Sequence, residues 1–144
     1  MPSFTSTVAD LTSAGPVLQL SVGPSRELMT VLSGVGARVA SPQAVTALID
    51  TGAHTTVLNP ETVKRLGIQP VGVTTISTPS STSPLACNRF HINVYLPEDF
   101  VIENVFAIEA PMAGVPYHCL IGRDILRFAT LVYVGPANQF TLTF

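Results

Sequence analysis

Charge is what this chain has least of. Only 11% of its 144 residues are Asp, Glu, Lys or Arg, against about 25% in a typical soluble domain, while 47% are apolar. The seven basic residues, Arg26, Arg38, Lys64, Arg65, Arg89, Arg123 and Arg127, form no stripe, and the net charge is −2. That balance argues against nucleic acid as a partner. The apolar residues are scattered, and no run approaches the ~18–20 needed to cross a bilayer, so no membrane role is expected. The first residues lack a basic stretch followed by an apolar one, the mark of a secretory leader. With only Cys87 and Cys119, a disulfide framework is absent, and a reduced, cytoplasmic setting is the default expectation. The soft ligands His54, His91, His118, Cys87 and Cys119 show no Cys-x-x-Cys or His-x₃-His spacing, so neither metal nor cofactor is expected. No Gly-x-Ser-x-Gly is present, and Cys119 lies in an apolar run that disfavours a thiolate, which argues against serine or cysteine catalysis. No internal repeat is visible.

What is present suits one domain, large enough to bury about two-thirds of its unfolded surface. Low charge at this size points to a compact β-rich unit with some apolar surface covered by a partner, which a homodimer would satisfy. Residues 16–22, 45–49, 55–58 and 101–108 read as strands from their β-branched content, and 89–96 alternates apolar and polar side chains. Two strands are expected within residues 68–96, around a Ser/Thr/Pro-rich turn at 77–84, and a closing hairpin joins 130–134 to 140–144 around Gly135-Pro136. Short helices are predicted over 26–33, with Ser25 as cap and Glu27 in the first turn, and over 61–66, behind Asn59-Pro60 and stopped by Gly67. A third is predicted over 121–128. Residues 1–15 are Ser/Thr-rich and read either as a frayed end or as an ordered strand. The class is mostly β with two or three short helices.

Two segments carry chemistry. In the first, Ala47-Leu48-Ile49 delivers a lone carboxylate, Asp50, onto a Thr51-Gly52 turn, and Thr55-Thr56-Val57 leads away. An acid at the end of a buried strand is costly unless it is hydrogen-bonded or shares its proton. Alone, Asp-Thr-Gly arises by chance in roughly a few per cent of chains this long. The second segment, Cys119-Leu120-Ile121-Gly122-Arg123-Asp124-Ile125-Leu126, follows at a separation of 72 residues from Asp50 to Gly122, leaving room for a hairpin between them.

Together these segments resemble the retropepsin-like aspartic proteases, over roughly residues 16–144. The resemblance implies a mostly β, half-barrel acid-protease fold that works as a homodimer, with residues 1–15 either flexible or a strand of the dimer interface. It implies an aspartic endopeptidase acting on polypeptide substrates without a cofactor. Peptide hydrolysis of this kind needs two carboxylates sharing one proton. This chain has one Asp-Thr-Gly, so Asp50 from each of two copies must form the pair. Thr51 would hold the two loops together across the axis, and Gly52 and Ala53 would form the backbone wall beside the substrate. Leu120, Ile121 and Gly122, with Arg123 and Asp124, would support the loop from below.

Two departures from the family pattern stand out. His54 occupies a position where retroviral members commonly carry an Asp that pairs with the arginine of the Gly-Arg segment. His54 is then either a substrate-binding group or an ordinary surface histidine, and Arg123 needs another acid, with Asp124, Asp10 and Glu109 open choices. The expected flap, at about 76–85, is Ser/Pro-rich rather than Gly-rich, with Pro79 and Pro84 removing backbone donors. Ile76 and Leu85 at its base, with Val57, are expected beside substrate. These departures lean toward an alternative, a catalytically inactive peptide-binding or assembly module of the same fold.

Overall fold

The structure is a computed structural model that describes residues 1–79 and 82–144. Among the described residues ten strands form two sheets. The larger contains β2 (Val17–Pro24), β3 (Gln43–Ile49), β4 (Val57–Leu58), β5 (Gly72–Ile76), β6 (Leu85–Tyr95), β7 (Val101–Glu109) and β8 (Cys119–Ile121), in the order β2-β3-β8-β4-β7-β6-β5. An additional β2–β6 pairing, Ser21 opposite Tyr95 through Pro24 opposite Ile92, curls six of these strands into a closed ring, leaving β5 attached outside β6. The smaller sheet has the order β1 (Ser3–Thr7), β10 (Gln139–Thr143), β9 (Thr130–Val134).

Alternation along the strands builds the core. Leu18, Leu20 and Val22 on β2, Val45, Ala47 and Ile49 on β3, and Phe90, Ile92 and Val94 on β6 all point inward and are buried. Phe4, Phe140 and Leu142 carry the smaller sheet onto the same core. Between Ile92 and Val94 the register shifts, so that Asn93 of β6 faces two residues of β7, Glu103 and Asn104; the bulge lies in β7, and the buried Asn93 side-chain oxygen accepts from the Asn104 amide at 3.1 Å.

Among the described residues four α-helices flank the strands. α2 (Arg26–Gly34) starts where Ser25 Oγ accepts from the Leu28 amide, and α3 (Pro60–Leu66) where Asn59 accepts from the Thr62 amide. α3 ends at Gly67, in the left-handed region at φ 62°. Both follow the sequence signals. α1 (Leu11–Ala14) was not anticipated, because its cue is a single turn. Asp10 caps it, and hydrogen bonds from the Ser13 hydroxyl first, then the Ser13 and Thr12 amides, hold the Asp10 carboxyl below the usual range. Residues 1–15 thus contain β1, paired with β10 of the same chain, and this one-turn helix.

Other boundaries move. Ile121 belongs to β8 rather than to a helix, and α4 spans only Arg123–Leu126, because Cys119–Ile121 is held on both sides by β3 and β4. Thr55 and Thr56 lie before β4; Thr56 bonds to the second signature segment, and the Thr55 backbone packs closely against Gly122. Residues 68–71 carry no strand, and β5 begins at Gly72. The turn expected at 77–84 includes 80 and 81, which lie outside the described residues. Among the described residues no helix is long and apolar enough to cross a membrane.

Candidate active site

Asp50 leaves the end of β3 beside β8. β3 runs parallel to β8, with Ile49 opposite Ile121, and the Asp50 amide continues that ladder by donating to the Ile121 carbonyl at 3.0 Å. The chain then turns sharply. Gly52 N–H donates to Asp50 Oδ1 at 2.8 Å, and Ala53 N–H to the Asp50 carbonyl at 3.2 Å. The half-buried carboxylate thereby receives one backbone donor, and its second oxygen takes none among the described residues. A carboxylate so held faces an open cleft instead of being consumed by the fold.

The two signature segments interlock. Gly122 passes so close to the loop that a Cβ there would stand 2.6 Å from the Thr55 carbonyl carbon and 2.7 Å from its oxygen. Only glycine fits. Thr56, fully buried, is the centre of the contact. Its hydroxyl donates to Asp124 Oδ1 at 2.8 Å and accepts from the Gly122 amide at 3.2 Å, while its own amide donates to Asp124 Oδ2 at 3.0 Å. Arg123 N–H reaches the Ala53 carbonyl at 2.8 Å and Asp124 N–H the His54 carbonyl at 3.2 Å. Residues 50–56 are therefore clamped by 121–124 along their length. Thr56 was not singled out from the sequence; its place in a β-branched run reads as strand, and only the fold shows that its hydroxyl has two partners.

Arg123 corrects an expectation. It pairs with none of Asp124, Asp10 or Glu109: its Nη1 donates to the Thr51 carbonyl at 2.7 Å. The three acids are engaged elsewhere, Asp124 with Thr56, Asp10 at the start of α1, and Glu109 with the Asn88 side chain. A backbone carbonyl meets the guanidinium's need for an acceptor without a second charge. Thr51 itself is exposed, and among the described residues its hydroxyl has no hydrogen-bond partner.

The cleft beside Asp50 has a volume of about 1350 Å³. Gly52, Ala53 and His54 line it next to Asp50, and Ile76 and Val57 line it further along. His54 is exposed there, its Nδ1 3.2 Å from Thr55 Oγ1. Leu85 is not among the lining residues; it stands opposite Ile76 in the β5–β6 pair, 45% exposed. Val57, Cys87 and Ile108 form a small apolar cluster under the cleft, joined by Ile76, Ala110, Met112 and Leu120. Leu120 thus reaches the cleft, whereas Ile121 points into the core. Arg89 and Phe106, not anticipated as site residues, line the same cleft.

The remaining chemical groups are occupied. Cys119 is fully buried below the loop, and desolvation pushes its thiol up to about 12, with Asp124 adding to the shift. Burial, then the charge of Glu109, raises Cys87 as well. His118 Nδ1 accepts from the Thr46 amide at 3.2 Å. Among the described residues no three His, Cys, Asp or Glu side chains stand together as a metal site.

A six-strand closed sheet with an Asp-Thr-Gly loop clamped by an apolar-apolar-Gly-Arg segment defines the retropepsin-like class of acid protease folds, as the two motifs implied. Residues 35–125 match the sequence profile of the aspartyl proteases, and the chain belongs to that family. Its backbone is similar to the crystal structure of a retropepsin-like aspartic protease from Rickettsia conorii, with a TM-score of 0.53 at 10% identity over 100% of this chain and 95% of that one. It is also similar to the foamy viral protease-reverse transcriptase, solved with an RNA/DNA hybrid, with a TM-score of 0.51 at 14% identity. That match covers 83% of this chain and 13% of the viral one. At these identities the likeness concerns the fold. No curated protein matches the chain.

Proposed function

We propose that this protein is an aspartic endopeptidase whose active site is completed by a second copy, with Asp50 of each protomer facing the other across a twofold axis. The reading rests above all on Asp50, which the Thr56–Asp124–Gly122 clamp presents to an open cleft with one carboxylate oxygen unengaged among the described residues. A single carboxylate lacks the partner needed to share a proton, and the chain contains no second Asp-Thr-Gly.

In the proposed reaction, water attacks the scissile carbonyl carbon. The ionised Asp50 carboxylate takes a water proton while the protonated partner gives its proton to the carbonyl oxygen. The tetrahedral diol then collapses: one hydroxyl gives its proton to the partner's now ionised carboxylate, the departing nitrogen takes the proton held by Asp50, and the C–N bond breaks. Thr51, exposed and with its hydroxyl unpaired among the described residues, is the group proposed to bridge the two loops. Gly52 and Ala53 form the wall for an extended peptide, and Ile76 and Val57 contact its apolar side chains. The hairpin of β5 and β6 acts as the flap.

The dimer surface is proposed along β9. Val132, Tyr133 and Val134 are exposed there at 48%, 52% and 38%, and among the described residues β9 pairs only with β10, leaving its other edge open. An open apolar edge that follows the Arg123–Leu126 helix in the chain suits a second copy. Cleavage of a diverse peptide mixture at pH 4–7 by wild type and by Asp50→Asn tests the reading. Cuts by the wild type alone are expected, since Asn keeps the shape of the side chain but cannot share the proton. Absence of cuts by a protein shown to be dimeric would leave the fold as a binding scaffold.

A further inference from the structure

The cleft has a second chemical focus, away from Asp50, on the outer face of β6 and β7. The Arg89 guanidinium lies over the Phe106 ring at 4.7 Å, and His91 stacks on the same ring at 4.3 Å and 13°. Phe106 is 46% exposed although Val105 and Ala107 beside it are buried. A large aromatic left in solvent on a strand has no packing reason to be there; here it braces a cation. Among the described residues Arg89 has no carboxylate partner. The acids around it are committed: Glu103 pairs with Arg26, and Glu109 accepts from Asn88. The strand neighbour opposite Arg89 on β5 is Gly72, where a Cβ would meet nothing within 4 Å, so the guanidinium is uncovered on that side. Arg89 and Phe106 line the same cleft as Asp50, separated from it by the apolar floor of Val57, Ile108 and Leu120.

The geometry points to a carboxylate-binding subsite at Arg89, braced by Phe106, that selects peptides carrying an acidic side chain at a distance from the scissile bond. It rests on the reading of the cleft as a peptide site. A guanidinium resting over an aromatic ring keeps N–H donors free to take a carboxylate in two parallel hydrogen bonds, and the ring contact limits the side-chain freedom lost on binding. The apolar floor between the two foci would accept the intervening side chains of an extended strand. The ligand is therefore a peptide with Asp or Glu beyond an apolar stretch, and amide isosteres should be poorly accepted.

The probes are two pools of octapeptides, alike except that every Glu in one is Gln in the other. Each is titrated at pH 6 into Asp50→Asn protein, expected to hold peptides without cutting them, and the amide signals of Phe106 and Ile108 are followed by NMR. The Glu pool is expected to shift these signals at about 10-fold lower concentration than the Gln pool. Arg89→Gln should equalise the pools, and Arg89→Lys should keep part of the difference. Gly72→Val, which leaves Arg89 in place but covers it, should shrink the difference too; it carries the test if Arg89→Gln does not fold. Equal shifts by both pools, binding of neither, or a Glu preference that survives both Arg89→Gln and Gly72→Val would overturn the subsite. Because no turnover is needed, a wild-type protein that cuts nothing but keeps the Arg89-dependent preference contradicts the endopeptidase reading and supports the subsite.

Discussion

At the scale of single residues, the site depends on a few contacts with no slack. Thr56→Val keeps the volume of the side chain but leaves Asp124 Oδ1 without its hydroxyl donor and the Gly122 amide without its acceptor. A loss of about 1–3 kcal/mol is expected in denaturant unfolding, and Thr56→Ser should recover most of it. Gly122→Ala drives a methyl into the Thr55 backbone, which no rotamer relieves, so a comparable or larger loss is expected together with loss of activity. Cys119, with its thiol pushed up to about 12 by burial, should resist iodoacetamide at pH 8 in the folded protein and react once unfolded, as mass spectrometry would report. What was legible at this scale was the pair of motifs, because glycine and an isolated acid leave marks in a sequence. The partner of Arg123 was not legible. A backbone carbonyl is present at every residue, so an Arg123–Thr51 bond carries no residue-type signal, and a search among acids was bound to miss it.

At the scale of elements, caps and alternation were the readable part. Ser25 and Asn59 announce α2 and α3, and Phe90, Ile92 and Val94 announce the inner face of β6. β4 is only two residues long and its neighbours β8 and β7 come from far along the chain, so its extent is decided by tertiary pairing rather than by its own pattern. The same applies to Ile121, drawn into β8 by strands on both sides. The closure of β2 onto β6 and the pairing of β1 with β10 likewise have no local signature. The open edge of β9 yields a prediction. Val132→Lys puts a charge on that edge and should weaken self-association by about 10-fold or more in sedimentation velocity, whereas Val31→Lys, on exposed α2, should not. The reverse pattern would move the dimer surface to α2.

At the scale of the whole molecule, chemistry favours two copies: the chain has one Asp-Thr-Gly, and the proposed reaction needs two carboxylates. Specific activity should therefore fall as the protomer concentration drops through the dissociation constant, with no such fall for a site complete in one chain. The most direct measurement mixes the two proteins. Wild type is held at a fixed concentration at which it is dimeric, and Asp50→Asn is added while cleavage of a peptide is followed. Random pairing predicts that activity falls to about one half at equal amounts and to about one tenth at a nine-fold excess, because each mixed dimer has one proton-sharing carboxylate and one amide. Activity unchanged at every ratio would contradict the account, since each wild-type chain would then be cutting with its own residues alone.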